Sequence, residues 1–99
     1  MKDPVIEIIR DIASKFNIEK VILFGSRARG DDASTSDYDI GIVSDKLTDL
    51  DKARIYDRIE EINTLKKIDP VFLEDREKDP FYKTIKNEGK VIYEKTKQA

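Results

Sequence analysis

Residues 21–43, VILFGSRARGDDASTSDYDIGIV, decide the fold and carry the chemistry. Val21–Phe24 is apolar throughout. A short continuous run of this kind predicts a strand covered on both faces, and therefore central in a sheet. With Lys20 the strand spans 20–24. Gly25-Ser26 breaks it, Arg27-Ala28-Arg29 can begin a short helix, and Gly30–Ser36, GDDASTS, is polar and turn-rich. Tyr38–Ser44 reads as a second strand. Strand side chains alternate between faces, so Asp37 and Asp39 point one way while Tyr38 and Ile40 point the other. Gly41 follows on the face of the acids and is expected to leave room there for a ligand.

Working outward, Asp3-Pro4 is a helix start, with Asp as N-cap and Pro in the first helical position. Val5, Ile8, Ile9, Ile12, Ala13 and Phe16 recur at three-to-four spacing and predict an amphipathic helix of about 13 residues, ended by Asn17. Thr48, with Asp51 three residues on, is an acidic form of the capping box. The helix it starts is expected over 49–64, with Ile55, Ile59 and Ile62 as its apolar stripe and Leu50 or Leu65 at the ends. Lys67–Leu73 is a third strand. Pro70 within it predicts an edge or strand-start position, because proline cannot donate to a ladder. Asp79-Pro80 repeats the helix-start signal, and Asn87-Glu88-Gly89 is a stop. Val91-Ile92-Tyr93 is a last short strand, and 94–99 reads as a frayed polar tail. The order of elements predicts one domain over 1–99. Its class is α/β (α+β), a small mixed sheet of about four strands with helices packed against it.

Two carboxylates on one strand face, with Cα atoms about 6.5 Å apart, repel one another unless a cation lies between them. Carboxylates of this kind bridge the paired ions of phosphoryl and nucleotidyl transfer. A bare DxD is also common on the solvent face of an edge strand, so its neighbours carry the weight. Gly25-Ser26, placed after an apolar strand and before a helix start, offers backbone N–H groups and a hydroxyl to an anion. Arg27 and Arg29 can add bidentate phosphate contacts. Gly25 and Gly30 have the spacing of a Walker A glycine pair, but Asp31-Asp32 stands where Lys-Ser/Thr is required, which excludes a P-loop. A third acid has three candidates, Asp69, Glu74 and Asp75. Asp69 stands at the start of its strand as Asp37 and Asp39 do of theirs, whereas Glu74 and Asp75 lie past the apolar run.

Composition narrows the chemistry further. The 99 residues hold no cysteine and no histidine, which removes disulfides, thiolate and imidazole ligands, cysteine nucleophiles and histidine bases. Any metal must be held by oxygen, which favours Mg²⁺, Mn²⁺ or Ca²⁺ over zinc. Lys and Arg number 19 against 21 Asp and Glu, so the basic footprint of a nucleic-acid binder is absent and direct nucleic-acid binding is not expected. No signal peptide or membrane-length apolar run is present, and the cytoplasm is the expected location.

Taken together, Gly25-Ser26, ten residues, then Asp37-Tyr38-Asp39 reads GSx10DxD, with a strand before it, a strand under the acids and Asp69 on a later strand. The pattern resembles the DNA polymerase β-like nucleotidyltransferases. The nearest likeness is to their smallest branch, the minimal nucleotidyltransferases (MNT), and it also takes in the leading helix and the ending FYKTIKNEGKVIY. The resemblance implies the polymerase β-like nucleotidyltransferase fold and a role for each matching residue. Gly25 and Ser26 would hold the nucleotide triphosphate, with Arg27 and Arg29 steadying phosphate. Asp37 and Asp39 would bind two Mg²⁺ ions, for which Mn²⁺ can substitute. Asp69 would complete the metal site and take the proton of the attacking hydroxyl. The implied reaction is transfer of AMP from ATP to a hydroxyl, with release of pyrophosphate. Larger relatives carry a further domain for the second substrate. A chain of this length is expected to rely on a partner, which the resemblance implies to be a HEPN-domain toxin, with this chain as its antitoxin modifying a tyrosine. Two alternatives are a non-catalytic antitoxin that masks the toxin by binding, and transfer to a small-molecule hydroxyl such as that of an aminoglycoside.

Overall fold

The computed structural model describes residues 3–25, 37–44, 46–62, 64, 66–73 and 80–95. Helix α1 (Pro4–Ser14) starts where the sequence expects it, the Asp3 carboxylate accepting the Val5 N–H at 2.9 Å. It ends at Ser14 rather than Phe16. The chain turns through Lys15–Asn17, and Phe16 still packs on the core from that turn, which is why the apolar period runs past the helix. Strand β1 (Lys20–Phe24) and strand β2 (Tyr38–Val43) follow. Helix α2 (Asp49–Glu60) is closed at its N-terminus by the full Thr48–Asp51 capping box. It stops short of residue 64. Ile62 remains buried one turn beyond, its N–H on the Ile59 carbonyl at 3.1 Å, so the apolar spacing continues through a tighter turn. Leu50 is 60% exposed and no part of the stripe, and Leu65 lies outside the described residues. Strand β3 (Ile68–Leu73), helix α3 (Pro80–Glu88) and strand β4 (Lys90–Glu94) complete the described chain. Glu94 closes β4 and the Lys95 N–H bonds the Glu19 carbonyl at 2.8 Å, so the expected tail does not begin at 94; residues 96–99 are outside the described set.

The sheet order is β3-β2-β1-β4, with β1 antiparallel to β2 and β4 and β2 parallel to β3. A parallel pair needs a crossover, and α2 supplies it. Val21 and Leu23 of β1 and Tyr38, Ile40 and Ile42 of β2 form one core with Val5, Ile9 and Ile12 of α1 and Ile55 and Ile59 of α2. Ile22, Val43 and Leu73 form a second core on the opposite face with Tyr82 and Ile85 of α3. The continuous apolar run of β1 is thus covered on both faces, as its composition requires. Ser44, buried at the end of β2, donates its hydroxyl to the Asn17 carbonyl and accepts the Lys46 N–H at 3.1 Å, tying the strand end to the α1–β1 turn.

Pro70 lies on an edge strand, and the ladder shows why it is tolerated. The Lys67 carbonyl accepts from Tyr38 N–H at 2.8 Å and the Leu73 carbonyl from Ser44 N–H at 3.0 Å. Backbone groups alternate in direction, so 67, 69, 71 and 73 face β2 while 68, 70 and 72 face outward. The N–H that proline lacks is one the ladder does not use. Tyr56 on α2 donates its hydroxyl to the outward Pro70 carbonyl at 3.4 Å, and its ring meets that of Phe72 at a tilt of 59°, centroids 5.5 Å apart.

Candidate functional site

The parallel register of β2 and β3 sets Asp39 directly opposite Asp69, while the antiparallel register sets Phe24, the last residue of β1, opposite Asp39. Three strand positions thereby bring the Gly25 turn and two acids from distant parts of the chain together. Gly25 has φ +78°, a conformation that costs an L-residue about 1–2 kcal/mol. A β-carbon built there would lie 2.6 Å from Oδ2 of Asp39. Glycine is therefore required twice, by the backbone and by the carboxylate against it.

Asp37 precedes β2, and its Oδ1 accepts the Lys67 backbone N–H at 3.4 Å. Between the two acids, Tyr38 is buried on the other face as alternation demands, and its hydroxyl donates to Oδ2 of Asp3 at 2.7 Å. The same carboxylate that caps α1 thus anchors the strand segment carrying the acids. No local spacing in the sequence signals this pair, whose residues lie 35 apart in the chain. The Lys67 ammonium lies 3.6 Å from Oδ1 of Asp69. For this contact a signal exists in the sequence, because residues two apart on a strand share a face.

Burial pushes the Asp39 carboxyl above its ordinary pKa, and the like charges of Asp69 and then Asp37 push it in the same direction, with Lys67 opposing. Three acids are thus close enough to feel one another. The donor set consists of carboxylate oxygens alone, which fits a hard divalent cation. Asp37, Asp39 and Asp69 are the residues that would hold one. Among the described residues no three acidic groups are drawn together tightly enough to grip an ion as they stand, and Asp37 and Asp69 each face Lys67 instead.

One expectation is corrected. The space above Gly41 is not open to a ligand: a β-carbon there would meet Leu73 Cδ1 at 3.0 Å and Ile85 Cγ2 at 3.5 Å. The glycine admits α3 against the sheet. Ser26, Arg27 and Arg29 lie outside the described residues, as do Glu74 and Asp75. An open groove runs from Asp69 and Lys67 along the outer edge of β3 to Tyr56, Ile59 and Ile62.

The sequence model of the family described as "Polymerase beta, Nucleotidyltransferase" matches residues 7–98. The chain belongs to this nucleotidyltransferase family. Among solved structures it is similar to a Sulfolobus solfataricus protein whose crystal structure is described as that of a candidate nucleotidyltransferase. The two are 29% identical with a TM-score of 0.60 over 91% of this chain and 77% of that one. No curated protein matches the chain significantly. The mixed four-stranded sheet with helices on both faces is the polymerase β-like nucleotidyltransferase fold expected from the sequence, and the general activity that goes with the family is nucleotidyl transfer. Nucleotidyltransferases of this family use a nucleotide triphosphate and divalent metal. Among the described residues no helix is long and apolar enough to cross a membrane.

Proposed function

We propose that this nucleotidyltransferase transfers AMP from ATP to a hydroxyl, that Mg²⁺ is its metal, and that its acceptor is a tyrosine of a HEPN-domain toxin for which it serves as antitoxin. The observation carrying the reading is the register that faces Asp39 with Asp69 beside the left-handed Gly25 turn. Asp37 and Asp39, completed by Asp69, would hold the divalent ions, which when bound would neutralise charge on the reacting phosphate. The Gly25-Ser26 turn cradles the triphosphate with its backbone N–H groups, and Arg27 and Arg29 steady it. Asp69 receives the proton as the acceptor oxygen bonds to the α-phosphorus. The bond to the β-phosphate oxygen breaks in line, and pyrophosphate departs. Support for an acceptor on another molecule comes from the position of Asp69. Its side chain is 45% exposed on an edge strand, at the end of an open groove.

The test is incubation of the purified chain with Mg²⁺, α-labelled ATP and the HEPN protein. Label should pass to the toxin, and Asp37→Asn or Asp39→Asn should reduce it by about 10³-fold, the equivalent of several kcal/mol of lost charge stabilisation. A toxin that binds the chain but acquires no label sinks the proposal. Neutralisation that survives Asp37→Asn with Asp39→Asn points to masking instead.

A further inference from the structure

We propose that Lys67 is the built-in counter-cation of the carboxylate site: its ammonium is the partner of Asp69 that a divalent ion must displace to enter. The inference rests on the reading of Asp37, Asp39 and Asp69 as the metal-holding acids and adds a residue that sets how readily they take the ion. Lys67 lies two residues before Asp69, on the same side of the chain, with Nζ 3.6 Å from Oδ1. Its backbone is pinned to the acid-bearing segment through both of its polar groups. The N–H donates to Asp37 Oδ1 at 3.4 Å, and the carbonyl accepts from Tyr38 N–H at 2.8 Å. The backbone thus fixes the root of the side chain beside the acids, and the ammonium meets Asp69 from there.

The same geometry makes the contact exchangeable. The Lys67 side chain is 70% exposed and that of Asp69 45%. An exposed pair of this kind is weak and screened by salt. A divalent ion brings twice the charge to the same oxygen, and the lysine stem is free to swing out into water. Lys67 then raises the ion concentration at which the site fills and keeps Asp69 partnered below it.

The experiment is Mn²⁺ binding to the full chain, followed by electron paramagnetic resonance at low ionic strength. Lys67→Gln should bind Mn²⁺ about 3- to 10-fold more tightly than wild type, the effect of removing one positive charge from beside a divalent one. Lys67→Arg should retain wild-type affinity. The gain should shrink at about 1 M salt, where the screening length is about 3 Å. Lys66→Gln, which removes the same charge one residue away, should have a smaller effect. Unchanged or weaker binding by Lys67→Gln overturns the proposal, as does an equal gain from Lys66→Gln. The two readings fail differently: wild-type binding that Asp39→Asn abolishes but Lys67→Gln leaves unchanged defeats the role of Lys67 alone, whereas no wild-type binding defeats both.

Discussion

Tyr38, Ile40 and Ile42 point from β2 into one face of the sheet and are 4%, 0% and 2% exposed. Asp39, Gly41 and Val43 point from the same strand into the other face and fare differently. Val43 is buried under α3, Gly41 is pressed by Ile85 and Leu73, and Asp39 stands past the reach of the helix among other acids. Among the described residues, two helices pack on the first face of the strand and one helix packs on the Gly41–Val43 part of the second. Among the described residues, the candidate site occupies the part of the sheet that the helices leave uncovered. One face of the strand provides stability and so permits the other to hold charge that folding alone would disfavour.

The largest effect should come from the closed face. Ile40→Ala removes a fully buried side chain from between α1, α2 and the sheet, and should lower stability by about 2–5 kcal/mol in urea denaturation. A loss below 1 kcal/mol would mean that this face is not the stabilising one. Next is the boundary between the regions. Gly25→Ala must adopt φ +78° and thrust a methyl group at Asp39, so stability should fall by about 1–2 kcal/mol and label transfer should fall with it. Intact transfer in a folded Gly25→Ala chain would separate the turn from the acid.

The smallest effect has the opposite sign. Folding raises the Asp39 pKa, so this group favours the folded chain while protonated and opposes it once ionised. Its opposition is absent below the ordinary carboxylate range and complete above the raised value. Asp39→Asn, uncharged throughout, should melt slightly above wild type near pH 7 in chelator, and the gap should close as the pH falls through the carboxylate range. A variant that melts below wild type at neutral pH would show that Asp39 stabilises the fold, and the contrast between the faces would collapse.

Much of this arrangement is legible in the chain because its causes are local. A carboxylate two residues before an N–H, a hydroxyl three residues before another, and a proline that rules out an inner ladder position each act within one turn or one strand. The Asp3 cap, the Thr48–Asp51 box, the bounds of β1 and the edge position of β3 follow from them. Helix ends are less legible, since Phe16 and Ile62 remain apolar and core-facing in the turns beyond α1 and α2, and periodicity does not distinguish such a turn from a last helical one. The role of Gly41 is hidden from the sequence for a related reason. An absent side chain shows that something approaches, and only the packing of α3 shows what.

The residue types of the candidate site, their alternation on β2 and the need for oxygen ligands were determined by the sequence alone, because side-chain chemistry and the two-residue period of a strand do not depend on what the strand packs against. The tertiary structure alone decided that β3 lies parallel to β2 with Asp69 facing Asp39, that the Asp39 carboxylate fills the space beside Gly25, and that Lys67 reaches both Asp37 and Asp69. Register between strands some thirty residues apart is set by which apolar sides must be buried together under α1, α2 and α3. That is a balance over the whole molecule, and no short stretch contains it.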